Sequence, residues 1–155
     1  MRSLVLTVAV AALLSSIAGF CLHVFSAEWL QHWIAARMEG RAMVSSWDVR
    51  VPAAISAIEI GLGASLTYWL LRCRFPALGW ARGGLCLAGL ILMIKGNLIR
   101  QPLMNSLVGN PVEVVAVQDG MVWVTWAVMG WIIAGVFALF DRQNRQDNSL
   151  KVQEA

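Results

Sequence analysis

Charged residues are scarce in this sequence, and their scarcity excludes most classes of soluble protein. Only 14% of the 155 residues are charged, whereas 59% are hydrophobic. Soluble globular domains carry about 25% charged residues, so this composition is typical of a chain that lies in lipid. The 12 basic and 9 acidic residues give a net charge of +3 but form no basic stripe. The charge pattern therefore predicts no nucleic-acid binding, and the lipid bilayer is the first expected partner.

Histidine and cysteine are also rare, which limits metal, haem and thiol chemistry. The only histidines are His23 and His32, and none of the three cysteines forms a Cys-x-x-Cys motif. A haem between helices needs axial histidines on facing spans, and a thiol oxidoreductase needs a cysteine pair. The sequence has no nucleophile–histidine–acid spacing, glycine-rich phosphate loop or carboxylate pair. We therefore assign no catalytic residue, no metal and no cofactor from the sequence.

Long apolar runs are what the sequence has in abundance. A run of about 18 or more apolar residues predicts a transmembrane helix, because about 20 residues at 1.5 Å per residue cross the hydrocarbon core. Backbone polar groups find no water in lipid, so each run is expected to be helical. Four such runs are present, at residues 4–25, 51–71, 77–99 and 121–140. They predict an all-α integral membrane protein whose single domain, residues 1–140, is a four-transmembrane-helix bundle.

The distribution of arginine predicts how the chain is oriented. Cytoplasmic loops of membrane proteins carry an excess of lysine and arginine. The loop between the second and third runs has Arg72 and Arg74 without an acid, and basic residues also precede the first run and follow the fourth. We therefore expect a bacterial inner-membrane protein with both termini in the cytoplasm. Residues 141–155 would be a polar cytoplasmic tail, and the segments 27–50 and 100–120 would lie on the periplasmic side.

The outer segment 27–50 has the pattern of an amphipathic helix. Trp29, Trp33 and other apolar residues recur at helical spacing, with polar residues such as Arg37 between them. The pattern predicts an additional interfacial helix between spans one and two, with its tryptophans at headgroup depth. This helix would rest on the membrane, close over an outward cavity, or bind a partner. The candidate partner surface is Trp29, Trp33 and Arg37.

Spans two and three each carry one charged residue inside an apolar run. Glu59 shares a helical face with Gly63 and Thr67, and Lys95 continues a stripe of small residues that begins at Gly84. Small residues let helices approach closely in lipid, so both charges are expected inside the bundle. The two spans run in opposite directions, which brings Glu59 and Lys95 to a similar depth. We therefore expect them to form an ion pair.

Further polar residues surround this expected ion pair at the outer end of the spans. Ionisable residues inside a membrane are candidates for a functional site, because a charge in lipid is costly. The size of the cluster favours a small polar pocket open to the outside, and the alternative is a purely structural ion pair. The candidate binding residues are His23, Glu59, Lys95, Asn97, Arg100, Gln101, Asn105 and Asp119.

Turn-forming residues divide the stretch between spans three and four. Pro102 is expected to interrupt the third span and to be followed by a turn-rich loop. The short β-branched segment 112–117 predicts a re-entrant or surface-packed piece, and Asp119 is expected to cap span four. The tail 141–155 is expected to be disordered because it is polar throughout.

The stretch Pro102-Leu103-Met104-Asn105 and the outer segment after span one resemble the layout of small four-span proteins such as the anthrone-oxygenase-like group. The resemblance consists of one short motif and the order of the segments, so it carries over no catalytic residue. A membrane oxidoreductase or oxygenase is accordingly the third function hypothesis, and the shortage of metal ligands disfavours it.

The two hypotheses ranked above it follow from the layout of the chain. The first is a non-enzymatic protein that binds a protein partner at its periplasmic side. That protein would be an immunity protein against a membrane-targeting toxin or an accessory subunit of a membrane complex. The second is a small transporter or channel component, with homo-oligomers expected, in which Glu59 and Lys95 line a polar path.

Overall fold

The computed structural model describes residues 2–38, 50–71, 79–107 and 109–153, which form five helices. No strand occurs among the described residues, so the all-α class predicted from the sequence is confirmed. The helices are α1 (Arg2–Arg37), α2 (Arg50–Leu71), α3 (Gly79–Lys95), α4 (Arg100–Leu107) and α5 (Val112–Gln153).

Two of these helices are each able to cross a membrane by length and composition. They contribute the apolar stretches Leu4–Arg37 and Val112–Asn144. Helices α3 and α4 are bent by 46° relative to each other. Taken together they satisfy the same test of length and composition, which adds a third crossing if the bent pair is one broken span. The apolar stretch described within α2, Ile60–Leu71, is shorter. The chain is therefore a membrane-type protein with two to three candidate spans.

Helix α1 is continuous, which corrects the separate interfacial helix predicted after the first span. Its 36 residues extend about 54 Å at 1.5 Å per residue, more than the ~30 Å hydrocarbon core requires. Residues 27–37, with both tryptophans, continue the axis of the first span. No proline or glycine lies between Phe20 and Arg37, so nothing in the sequence breaks the helical hydrogen bonds. The rest of the predicted outer segment, residues 39–49, lies outside the described residues.

Helix α5 is also continuous, over 42 residues, and it corrects three local predictions. Residues 112–117 form its first turns instead of a re-entrant piece, Asp119 lies inside the helix instead of capping it, and the polar tail continues the helix to Gln153. The helix begins beside Pro111, whose carbonyl accepts a hydrogen bond from the Val115 N–H at 3.1 Å. The arginine, glutamine and lysine residues of the tail have good helix propensity, so polarity alone does not end the helix.

The break between α3 and α4 is made by Gly96, which has a φ of +72°. The Gly96 N–H donates to the Met93 carbonyl at 3.0 Å, and the Asn97 N–H donates to the Leu92 carbonyl at 2.8 Å. This pair of bonds is a Schellman motif, which needs a left-handed residue and favours glycine. Pro102, predicted to interrupt the third span, lies instead in the first turn of α4, where its missing N–H costs no helical hydrogen bond.

The long helices pack in the order α2, α1, α5, α3, so α1 and α5 form the centre of the molecule. Helix α3 lies against α5, helix α2 lies mainly against α1, and α2 and α3 touch only slightly. The small-residue stripe of α3, which begins at Gly84, therefore faces the central helix α5 rather than α2.

Small residues make the crossings close, as the sequence predicted, but the positions in α2 differ. Gly84 lies against Gly130 of α5, and a Cβ atom at Gly84 would be 2.7 Å from the Gly130 carbonyl oxygen. In α2 the residue that meets α1 is Gly61, which lies against the Ser16 hydroxyl. No atom of the described residues lies within 4 Å of the Cβ site of Gly63, so among them nothing packs against the predicted α2 face at this position.

The core follows α5 and is lined by the neighbouring helices. Phe137 and Ile133 of α5 are almost fully buried, and the Tyr68 ring lies 5.3 Å from the Phe137 ring. Large apolar side chains such as Leu13 and Leu139 remain 60% exposed. Exposed apolar side chains over much of the helix length are compatible with contact with a lipid bilayer.

Candidate functional site

An open cavity of about 500 Å³ lies between α1, α2, α5 and the C-terminal end of α3. It lies just inside the α4 end of the molecule, which we define as residues 28–37 of α1, all of α4, and residues 112–119 of α5. The wall is mostly apolar, with polar groups from three of the four segments. The residues that line the cavity are Gly19, Phe20, His23, Ser26, Ala57, Ile60, Lys95, Asn97, Met121, Val122, Thr125, Trp126 and Met129.

The rim of the cavity is built around Lys95, the last residue of α3. The Schellman motif that ends α3 fixes the backbone at this point, and the Lys95 side chain is exposed. Its ammonium nitrogen lies 5.0 Å from the centroid of the Trp126 ring, which is a cation–π distance. The Trp123 indole N–H donates to the Asn97 carbonyl at 2.9 Å and ties the α3–α4 turn to α5. The rim therefore presents one positive charge in a fixed setting.

One face of α1 forms the opposite wall. Gly19, His23 and Ser26 follow each other at steps of four and three residues, so they lie on the same side of the helix. Gly19 lies against the Met129 side chain, where a Cβ atom would be 2.9 Å from the sulfur. The close contact at Gly19 closes one end of the cavity, and His23 and Ser26 add polar atoms toward the α4 end.

A second polar group lies between α4 and α5, apart from the cavity lining. The Gln101 amide donates to Asn105 at 3.4 Å, and the Asn105 amide donates to the Asp119 carboxylate at 3.5 Å. These bonds are long and individually weak. Asp119 is only 4% exposed, so the short chain of amides gives a buried carboxylate its polar contact and holds α4 against α5.

The predicted binding residues thus divide into separate groups. His23, Lys95 and Asn97 line the cavity, whereas Gln101, Asn105 and Asp119 form the α4–α5 chain. Arg100 is exposed, and its side chain lies beside Gly96, where a Cβ atom would be 3.4 Å from the Arg100 Cδ. The side chain of Glu59 lies outside the described residues, so its ion pair with Lys95 stays a prediction.

The extension of α1 carries a row of aromatic side chains at steps of four residues. The Phe25 and Trp29 rings are 6.4 Å apart, and the Trp29 and Trp33 rings are 6.3 Å apart, both in stacked arrangements. The Arg37 guanidinium lies 3.9 Å from the Trp33 ring and its Nε lies 3.5 Å from a carboxylate oxygen of Glu113. The predicted partner-surface residues therefore lie together on one rigid helix that is held beside the start of α5.

Ten of the thirteen lining residues were not predicted from the sequence, among them the polar Ser26 and Thr125 and the aromatic Trp126. A signal for Ser26 exists, since it shares the helical face of Gly19 and His23. Trp126 lies near the predicted outer end of span four, where a tryptophan is also expected at the membrane interface. Its 8% exposure is a consequence of packing against α3, which a single sequence does not reveal.

The helices and the cavity define an all-α membrane-type protein with a mostly apolar, partly polar cavity near one end. No family model, no curated protein and no solved structure matches this chain. The function is therefore argued from its own residues.

Proposed function

We propose that this chain is a four-span protein of a bacterial inner membrane that acts without catalysis by binding a protein partner. In this proposal α2 is the fourth crossing, both termini are cytoplasmic, and the α4 end faces the periplasm. The arginine-rich loop between α2 and α3 supports the orientation, because arginine is retained on the cytoplasmic side. The α4 end would then be the surface that a periplasmic partner meets.

One observation carries the partner-binding proposal: the exposed aromatic row on the extension of α1. Phe25 is 60% exposed and Trp29 is 47% exposed, although both belong to a rigid stacked row. Tryptophan and arginine are enriched among the residues that dominate protein–protein binding. A rigid helix loses little conformational entropy on binding, so the row of Phe25, Trp29, Trp33 and Arg37 is well suited to an interface.

Helix α4, which also packs against α5, offers further exposed apolar side chains. None of its residues is buried, and Leu103 and Leu107 are 55% and 70% exposed. Arg100 and Gln101 at the start of the same helix are also exposed, which gives the mixture of apolar and polar groups that is typical of an interface. A toxin held in check by an immunity protein, or a larger subunit of a membrane complex, is the kind of partner that this surface suits.

Site-specific photocrosslinking in the native membrane tests this proposal. A benzophenone amino acid would replace Trp29 or Leu103 at the α4 end, and Leu13 or Leu139 as matched exposed apolar controls. We expect a discrete protein adduct from the first two positions and lipid adducts alone from the controls. Lipid adducts alone from all four positions would show that the α4 end is a headgroup anchor, and the proposal would be wrong.

The cavity supports a second candidate function, a small transporter or channel component. A cavity with a cation at its rim and a histidine on its wall is a place where a solute can be held between helices. Transport would require the cavity to open alternately to both sides. Flux of a solute in reconstituted vesicles, lost in a variant with a blocked cavity, is the measurement that would favour this function over partner binding.

A further inference from the structure

We propose that the cavity binds a single-chain amphiphile with an anionic head group, with the head at Lys95 and the hydrocarbon chain along the apolar wall. A fatty acid and a lysophospholipid share this chemistry. The inference does not depend on the protein partner proposed above, because it concerns the interior of the bundle and not the surface of the α4 end.

The apolar wall fits a hydrocarbon chain. Phe20 of α1, Ile60 of α2 and Val122 and Met129 of α5 surround the space from three helices. Methionine is flexible and polarisable, so it adapts to the irregular outline of an alkyl chain. An apolar ligand surface leaves lipid or water and gains contacts with these side chains, which is the main source of affinity in such pockets.

The size of the cavity argues for one chain. Its volume of about 500 Å³ lies within the range of about 300–1,000 Å³ that holds one drug-sized ligand. A phospholipid with two acyl chains has about twice the hydrocarbon of a fatty acid and would leave one chain outside. The cavity is open, so an amphiphile can enter it without unfolding a helix.

The charge at the rim argues for an anionic head. Of the described residues that line the cavity, Lys95 is the one that carries a formal charge. Its ammonium nitrogen lies 5.0 Å from the centroid of the Trp126 ring. The hydroxyl of Ser26 and the amide of Asn97 add hydrogen-bonding groups to the same lining. A carboxylate or phosphate beside Lys95 would form a charge-assisted hydrogen bond, which is stronger than a hydrogen bond between neutral groups.

Among the described residues, no acidic side chain lines the cavity. The buried Asp119 does not line the cavity and is hydrogen-bonded to Asn105 on the α4 side.

Equilibrium binding of radiolabelled oleate to the full chain tests the proposal. The protein would be reconstituted in phosphatidylcholine nanodiscs, and binding to empty nanodiscs would be subtracted. We expect saturable binding at one site per chain. Unlabelled lysophosphatidylglycerol should compete, and oleyl alcohol, which has the same chain without the charge, should compete about tenfold more weakly.

Three variants separate the roles of charge and space. Lys95→Gln should weaken oleate binding about ten- to a hundredfold and leave the binding of oleyl alcohol unchanged, whereas Lys95→Arg should keep most of the oleate affinity. Ala57→Leu should weaken both ligands because it fills the cavity. Arg142→Gln, which removes an exposed cation of α5 outside the cavity, is the matched control and should bind like the wild type.

Three results would overturn the proposal. One is the absence of saturable oleate binding to the wild-type protein. Another is equal oleate affinity in the wild type and in Lys95→Gln, which would remove the role of the charge. The third is competition by phosphatidylglycerol in the nanodisc as strong as that of oleate, which would assign the cavity to one chain of a bilayer lipid. The photocrosslinking test at Trp29 and Leu103 is independent of these three results, because it concerns the proposed partner surface and not the cavity.

Discussion

At the scale of single residues, glycine decides how closely the helices approach each other. Gly84 and Gly130 meet backbone to backbone where α3 crosses α5, and Gly61 meets Ser16 where α2 crosses α1. At the second crossing the Ser16 hydroxyl also donates to the Ala57 carbonyl at 2.8 Å. Helices in lipid associate through such close packing and interhelical hydrogen bonds, because the hydrophobic effect does not drive them together there. The two crossings therefore hold the peripheral helices to the central pair.

Replacing Gly84 with alanine should separate α3 from α5. The new Cβ would lie 2.7 Å from the Gly130 carbonyl oxygen and 3.1 Å from the Trp131 Cα, and neither backbone atom can move without shifting a helix. We expect a loss of about 1–3 kcal/mol in the free energy of unfolding. Unfolding by detergent titration, followed by circular dichroism, measures this change.

Gly89 on the same helix provides the matched control for Gly84. Within the part of the chain that the structure describes, no atom lies within 4 Å of the Cβ site of Gly89, so alanine meets none of these residues there. Gly89→Ala should be neutral or more stable by up to about 1 kcal/mol, because alanine has the higher helix propensity. Equal destabilisation by both substitutions would mean that the Gly84 contact does not hold α3 in place.

Part of the candidate site is predictable from residue types, and the rest depends on packing. Lys95, Asn97 and His23 were identified because a polar group inside an apolar run is conspicuous, and all three line the cavity. Trp126 and Thr125 have nothing unusual about them in a membrane helix. Only their position opposite α3 and α1 makes them part of the site, and this position follows from the helix order, which the sequence does not state.

At the scale of helices, the sequence predicts where apolar segments lie better than where helices end. All four predicted apolar runs fall within α1, α2, α3 and α5 apart from a few terminal residues. The predicted ends after residue 25 and before residue 121 are wrong, because a change to polar residues leaves the backbone hydrogen bonds intact. Helix α3 ends at Gly96 because this residue has a left-handed φ of +72°, which an apolar pattern does not reveal.

The continuity of α1 predicts that its C-terminal turn remains beside α5. Cysteines at positions 37 and 113, in place of Arg37 and Glu113, should react with a short bifunctional maleimide, since the native side chains meet at 3.5 Å. The background would lack Cys21, Cys73 and Cys86. Mass shift or gel mobility measures the crosslink.

The pair of cysteines at positions 37 and 142 is the control for this crosslink. Both native side chains are exposed, and position 142 lies near the other end of α5, about 40 Å along the helix from position 113 at 1.5 Å per residue. No crosslink is expected from this pair. The absence of a crosslink between positions 37 and 113 would indicate a helix that turns after residue 25 and lies along the membrane. The continuous α1 would then be wrong.

At the scale of the whole molecule, the order α2, α1, α5, α3 explains why a cavity exists near one end. Neighbours in the sequence are not all neighbours in space, and α2 and α3 lie on different central helices. The two peripheral helices touch only slightly, so the space between them is filled by side chains of α1 and α5. Near the α4 end those side chains include that of Thr125, which is too small to fill the space.

A single labelling experiment would measure how many helices cross the membrane and in which direction each one crosses. Cysteines would replace Met38, Arg74, Glu113 or Arg142 one at a time in the cysteine-free background, and intact spheroplasts would be treated with a membrane-impermeant maleimide. Four crossings with cytoplasmic termini predict labelling from outside at positions 38 and 113, and labelling only after lysis at positions 74 and 142. The physical reason for this expectation is the arginine excess around position 74 and in the tail, because arginine-rich segments of membrane proteins are retained in the cytoplasm. If α2 does not cross, positions 38 and 74 will be labelled from the same side, and the cavity will have a wall that lies outside the membrane core.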